Sequence, residues 1–437
     1  MTLNPDIMKA IERLNYRVTV GDVAAQAGLE INLAQQGLLA LASDAGGHLQ
    51  VAGSGEIVYL FPHNFRAILR NKYLRLRLKE WWDRVWRVLF YIIRISFGII
   101  LLVSILIIVT AIIMIILAAN ASSQNNDRRS SGGNMNLPRI WFSPDFFYIF
   151  YPDYYSRRYQ SSKQRSYDSR EQSSMNFLES VFSFLFGDGN PNADLEERRW
   201  TAIGTVIRNH KGAVIAEQIA PYLDDVGRGD SFVDENYMLP VLSRFNGRPE
   251  VSPEGDIVYH FPELQTTATR QGYQSVSAYL KEFPWRFSQA SSGQILMAIG
   301  LGGANLIGAL VLGSLLADGT IALQMGGFVA FVQSIYWLLL GYGAAFLAIP
   351  LIRYLWIQWR NRTINHRNEK RQERAIFLNQ ANEQLQAKLS YAQQFAAETV
   401  IQAEDLIYTT QRDLTEQELE QADQIDAEWQ RRLNQGQ

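Results

Sequence analysis

Two long runs without a charged residue, Ser291 to Ala317 and Gly319 to Ile352, limit what this chain can fold into more than anything else in it. The first holds 27 residues and the second 34, and a helix needs only about 20 apolar residues to cross a bilayer. Leu316-Ala317-Asp318-Gly319-Thr320 joins them, so residues 291–352 are predicted to form a transmembrane helical hairpin with a very short tip. Gly300, Ala304 and Gly308 recur every four residues on the first helix, as do Gly341 and Ala345 on the second. Small residues at that spacing let membrane helices pack closely. Asn305 lies 13 positions before Asp318 and Gln333 lies 14 after Gly319, so the two amides are expected to hydrogen-bond across the hairpin. Neither run contains Asp, Glu, Lys or Arg, which weighs against a transport pathway.

A third uncharged run, Ile95 to Ala118, is also long enough to cross, giving about three transmembrane helices: one single run and one hairpin. Residues 65–94 before it form a basic, aromatic juxtamembrane helix with nine Lys or Arg, interleaved with Trp81, Trp82, Trp86 and Tyr91. That mixture belongs at a lipid headgroup surface. Residues 119–192 read as a polar linker. Trp141 to Tyr155 crowds aromatic side chains around Pro144 and Pro152 and suits the membrane interface, Ser161 to Ser174 has the composition of disorder, and Phe177 to Phe186 suits a short amphipathic helix. Seven basic residues follow the hairpin, from Arg353 to Arg374, and place residues 353–437 in the cytoplasm by the positive-inside rule.

The soluble parts repeat one pattern. Residues 1–64 offer a helix capped by Asn4 with Pro5 in its first turn, a strand at Tyr16 to Val20, helices at Val23 to Ala27 and Ile31 to Ser43, and strands at His48 to Ala52 and Glu56 to Phe61 around Gly53-Ser54-Gly55. This is the order of a winged-helix module. Gly55-Glu56-Ile57-Val58-Tyr59-Leu60-Phe61-Pro62 returns as Gly255-Asp256-Ile257-Val258-Tyr259-His260-Phe261-Pro262, which makes residues 193–265 a second module, followed by a linker at 266–290. Upstream of that second wing the pattern predicts helices at Leu195 to Asn209, Ala216 to Leu223 and Glu235 to Phe245. Parity is awkward: a single crossing at 95–118 would put the first module outside, while duplicated modules are expected to share the cytoplasmic side. A bend near Val88, or another pass between Trp141 and Phe186, would reconcile the two. Beyond Arg374, Leu378, Leu385, Leu389, Ala392, Ala396, Ala403 and Ile407 suggest a helical tail, either a helical pair or weak coiled coil that could join copies of the chain, or a solvated amphipathic helix. Thr415-Glu416-Gln417-Glu418 has the form of a capping box.

Winged helices often read DNA, and affinity for DNA comes largely from cations on phosphate. From Gly21 to Pro62 there is no Lys or Arg, against Asp22, Glu30, Asp44 and Glu56; Lys211 to Pro262 has four basic residues against nine acidic ones. The helix that would read bases, Ile31 to Leu39, offers only amides, so nucleic acid is disfavoured and protein contact is the expected use. With no cysteine, the chain supplies no thiolate ligand, cysteine nucleophile or disulfide. His48, His63, His210, His260 and His366 show no ligand spacing, and His260 suits a half-buried strand position. Gly300-Leu301-Gly302-Gly303-Ala304-Asn305 mimics a dinucleotide loop, but inside an uncharged membrane run it reads as packing. No catalytic residue, metal or cofactor is expected. The opening Met1-Thr2-Leu3-Asn4-Pro5-Asp6 has no signal-peptide pattern.

Phe186-Gly187-Asp188-Gly189-Asn190-Pro191-Asn192, followed by Leu195-Glu196-Glu197-Arg198-Arg199-Trp200 and taken with the two Ile-Val-Tyr-X-Phe-Pro wings, resembles a family of integral membrane proteins of cyanobacteria and plastids. The resemblance implies a thylakoid or plasma membrane location and no mechanism. Some plant relatives carry an iron–sulfur biosynthesis label, for which a cysteine-free chain offers no ligand chemistry. The overall expectation is an α+β integral membrane protein that is not an enzyme: an adaptor or assembly factor in contact with lipid and with another membrane protein or complex. A membrane-tethered transcription regulator and a small transporter component are the alternatives. Gly187 to Asn192, with Glu196, Glu197 and Trp200, form the expected contact surface.

Overall fold

A computed structural model describes residues 4–72, 74–123, 175–224, 235–317, 326–380 and 383–417, with a few positions beyond. The hairpin tip at 318–320, the aromatic segment at 141–155 and the serine-rich stretch at 161–174 lie outside the described residues. The chain divides into two compact units. One gathers Met1–Trp82, Asn190–Pro284 and Asn361–Gln437; the other gathers Asp83–Gly189 and Trp285–Arg360.

In the first unit, Asn4 Oδ1 accepts from the Asp6 N–H at 2.9 Å and starts α1, Pro5–Arg13, whose buried face is Ile7, Met8, Ala10 and Ile11. The next strand, β1, is only Arg17–Val18, because Thr19 and Asp22 exchange side chain and backbone bonds in a capping box that starts α2 at Val20–Ala27. Helix α3, Ile31–Ala45, ends at Gly46, and β2, His48–Ala52, turns into β3, Ile57–Leu60. Helix α4, Phe65–Lys72, leads to the long helix α5, Leu74–Ser123.

The second copy repeats this with α7, Leu195–Asn209, then β4, Ala213–Val214, β5, Arg248–Val251, and β6, Ile257–His260. Its middle helices are cut short by proline. A four-residue turn α8, Ala216–Ile219, gives way to a 3-10 turn containing Pro221, and a 3-10 turn at Asn236–Met238 precedes α9, Leu239–Phe245, with Pro240 in its first turn. The two sheets share order and register. In β1-β3-β2, Val18 faces Tyr59 and His48 faces Leu60; in β4-β6-β5, Val214 faces Tyr259 and Arg248 faces His260. Both copies contribute to one core, which runs from Ile7, Ile11 and Leu38 to Ile207, Phe245 and Phe261.

The tail is not the wholly helical segment, as a pair, a weak coiled coil or a solvated helix, expected from its apolar spacing. After α13, Glu383–Gln393, the chain turns to strands: β8, Thr399–Val400, pairs with β7, Thr266–Thr267, and β9, Leu406–Thr409, adds a fourth strand beside β2. Leu385 and Ala392 are buried against Ile215 and Val258, so that part of the stripe works as a helix face, but Ile407 is a strand residue. Asp413 rather than Thr415 caps the last turn, its Oδ1 accepting from the Thr415 N–H at 3.1 Å.

In the second unit, α6, Phe177–Phe186, and α11, Ser292–Leu316, accompany α5 and α12, Gly327–Asn379. Among the described residues three helices are long and apolar enough to cross a membrane, over Trp81–Ala119, Ser292–Leu316 and Gly327–Leu378. Helix α5 continues without a break through Val88, so the chain does not turn back there. One cluster joins Ile108, Ala111 and Ile115 to Leu312, Leu316, Val329 and Val332; another joins Leu101 to Val181, Leu185, Ala298 and Phe346. Gly300 to Asn305 is interior helix, as its uncharged context requires.

Candidate protein-contact site

The outward face of α3 is the most distinctive exposed surface of the first unit. Asn32, Leu33, Gln35, Gln36 and Leu39 are exposed, while Ile31, Ala34, Leu38, Leu41 and Ala42 face the core. Leu33 is 47% and Leu39 54% exposed. Helical periodicity produces this split, and it leaves two branched apolar side chains among amides with no charge on that face. Such a surface gains from burial against another polypeptide and offers phosphate no cation.

The sequence-predicted contact segment is largely occupied within the protein. Gly187, buried with φ +79°, ends α6, and a side chain there would collide with the Arg353 guanidinium. Arg353 Nη2 donates to the carbonyl oxygens of Ser183, Phe184 and Phe287 at 3.2, 2.9 and 2.6 Å, placing a cation at the C-terminus of α6. Asp188 accepts from Arg94 at 2.6 Å, from the Ser183 hydroxyl at 2.5 Å and from the Gln289 N–H at 2.8 Å. Gly189 is exposed.

The other half of the motif, Asn190-Pro191-Asn192, belongs to the first unit. There the Asn192 amide donates to the Phe283 carbonyl and accepts the Phe283 N–H, both at 2.8 Å. Trp200 lies against Gly28, with the Arg244 guanidinium 4.3 Å above its ring, and Arg244 Nε donates to the Gly28 carbonyl at 2.9 Å. Of the expected contact set, Asp188, Gly189, Asn190, Glu196 and Glu197 are exposed and Pro191 is half-buried; Gly187, Asn192, Trp200 and, through its hydrogen bonds, Asp188 hold the fold together.

Within the apolar helices the expected amide pair does not form. Asn305, 1% exposed, accepts from the Ser104 hydroxyl of α5 at 2.9 Å, while Gln333 is exposed. The closest backbone approaches also lie on a different face from the one expected. A methyl at Gly302 would collide with the Phe346 ring and one at Gly343 would meet the Leu306 backbone at 3.2 Å, but Gly300 and Gly341 have open space. Gly308 does approach Ile108, at 3.0 Å; Ala304 is half-buried and Ala345 exposed. Spacing of four selects a set of positions but not which set turns inward.

Sequence reasoning assigned Arg367 and Arg371 only to a basic membrane flank. In the structure Arg371 is fully buried, paired with Asp224 and donating to Glu282 at 2.8 Å, and Arg367 grips the same glutamate through two nitrogens. Their four-residue spacing on one helix face was the available signal. Burial alone would raise the Asp224 carboxyl, but Arg371 and Arg199 outweigh it and hold it below the usual carboxylate range. Lys388 of α13 lies between Glu217 at 2.9 Å and Glu235 at 2.7 Å; burial opposes its charge, and the two carboxylates overcome that and push the ammonium up.

A cleft of about 420 Å³ between α7 and α13 is lined by His210, Lys211, Gln218, Leu389, Gln393 and neighbours. His210 Nδ1 is already within 2.8 Å of the Val206 carbonyl. His260 stacks on Phe395 and lies 3.5 Å from Glu250. Among the described residues no group of three His, Asp or Glu is arranged to hold a metal ion.

No protein-family model and no solved structure matches the chain. It is similar to an uncharacterised chloroplastic protein of Arabidopsis thaliana, At5g03900: 38% of positions are identical over 445 residues, covering 98% of this chain and 81% of the plant protein. With a match at that identity over nearly its whole length, this chain belongs to the family of that chloroplastic protein.

Proposed function

We propose that this protein is a membrane-anchored adaptor or assembly factor whose two winged-helix-like modules present a protein-binding surface on the cytoplasmic side of a photosynthetic-type membrane. One observation carries the reading: the helix that a winged-helix DNA reader would arm with cations instead exposes Leu33 and Leu39 among uncharged amides. The three apolar helices and the chloroplastic relative support a membrane setting. The partner is a polypeptide with a matching apolar, weakly charged surface, held near the same membrane.

Affinity isolation of the full chain from mild-detergent membranes tests this. The unaltered chain is expected to bring down a stoichiometric membrane partner, and Leu33→Asp with Leu39→Asp to lose it while the chain stays folded and inserted. Isolation of the chain alone, or retention of the partner by the doubly substituted chain, overturns the reading. Salt-resistant capture of a DNA duplex by the full chain would favour a tethered transcription regulator instead.

A further inference from the structure

The two copies of the sheet treat their outer edges differently. In each hairpin, even-numbered residues bond across to the inner strand, as the Ala52 N–H does to Glu56 and the Ser252 N–H to Asp256, so odd-numbered residues point their backbone groups outward. In the first copy the outward sides of all three odd-numbered residues, Leu49, Val51 and Gly53, are in use, Val51 being paired with Tyr408. The Gly53 N–H donates to the Asp405 carbonyl at 2.9 Å, the Leu49 N–H to Thr410 Oγ1 at 2.9 Å, and the Leu49 carbonyl accepts from the Thr410 N–H at 2.9 Å. Offset by 200, two of these three positions of the second copy are Pro249 and Pro253, which have no N–H to give, and they flank Val251, which keeps its own. Among the described residues no strand pairs with the outer side of β5; only the Tyr391 hydroxyl reaches the Val251 carbonyl, at 3.3 Å.

Proline on an edge strand is a permanent bar to strand addition. The first copy lacks that bar. It keeps all three donors and covers them with β9 and its flanking residues, from the far end of the chain. That cover is thin: Ile407 is 54% exposed, and the apolar anchor is Leu406 against Ala52, Val58, Ala268 and Ile401. Segments with few buried apolar contacts open at the low end of a protein's stability range.

We propose that the outer edge of β2 is a strand-binding site, filled here by the chain's own β9, which accepts an extended segment of the partner polypeptide bearing a branched apolar residue where Leu406 sits. Backbone pairing supplies the attachment, and the Leu406 cluster supplies the selectivity. The inference rests on the adaptor reading only for the source of the incoming strand. An edge that refuses a strand leaves partner isolation through α3 untouched, so the two fail separately.

The probe is a labelled peptide of residues 402–412, titrated against the full chain in detergent and followed by fluorescence anisotropy. Tyr408→Pro, which breaks the pairing of β9 with Val51, is expected to bind the peptide about tenfold or more tighter than the unaltered chain. Adding Leu49→Pro and Gly53→Pro, which copies the barred edge, is expected to abolish that gain. No gain in the first variant, or a gain that survives in the triple variant, overturns the proposal. In the unaltered chain, amide exchange at Gly53 is expected to outrun that at Val58 by about tenfold or more. Equal rates at the two positions overturn it without any variant having to fold.

Discussion

Asp22 is 1% exposed and holds four donors: the Thr19 and Ala268 N–H groups at 2.9 Å, the Thr267 hydroxyl at 2.8 Å and the Arg208 guanidinium. It caps α2 and ties that helix to α7, where Gly204 lets the Ala25 backbone come within 2.8 Å of a would-be methyl. Removing one member of a buried ion pair strands the other, at a cost of about 3–5 kcal/mol. Asp22→Ala is therefore expected to lower the thermal midpoint of the first unit steeply, measured by calorimetry on the full chain in detergent, and a loss under about 1 kcal/mol would contradict this role. In the sequence Asp22 read as one more negative charge repelling phosphate. Its partners lie at 208, 267 and 268, and no local pattern joins positions so far apart. By contrast, the Asn4 cap depends on neighbours in the chain and was legible from them.

Elements were legible where their signals were local and misread where a face or a distant partner decided the outcome. The helix between Ile31 and Ala45 follows from apolar spacing ended by glycine, and the paired hairpins follow from a repeated motif. The tail misled because alanine and glutamine dilute its stripe; the β-branched residues Thr399, Val400 and Ile401 were the cue to strand. For the crossing of α11 and α12, the structure separates two glycine sets that spacing could not. Gly302→Leu and Gly343→Leu are each expected to destabilise the second unit by about 1–3 kcal/mol through overpacking, whereas Gly300→Leu and Gly341→Leu meet open space. Thermal unfolding in one detergent distinguishes the pairs, and equal effects at all four sites would refute the assigned faces.

At the scale of the whole molecule, the shared core of the two copies speaks to the parity left open by the sequence. Residues packed into one core would stand on one side of a bilayer, the shared-side arrangement expected of duplicated modules. Single cysteines at Ser54 and Glu254, equivalent exposed positions in a chain with none of its own, are expected to behave alike toward a membrane-impermeant thiol reagent. Both should stay unlabelled in right-side-out vesicles and react once these are opened; labelling of one alone from outside would break the shared-side account. The hairpin and the third apolar run were plain in the sequence because charge is absent over whole spans. The grouping into units was not, since it depends on which remote stretches meet.

The first sheet is completed by β9, a strand synthesised only after every one of the described long apolar helices. Until then its outer edge is bare, with the Leu49 and Gly53 amides unsatisfied. Maturation of this head is thus coupled to membrane insertion, and a nascent chain halted before that strand would display a sticky border that chaperones must shield.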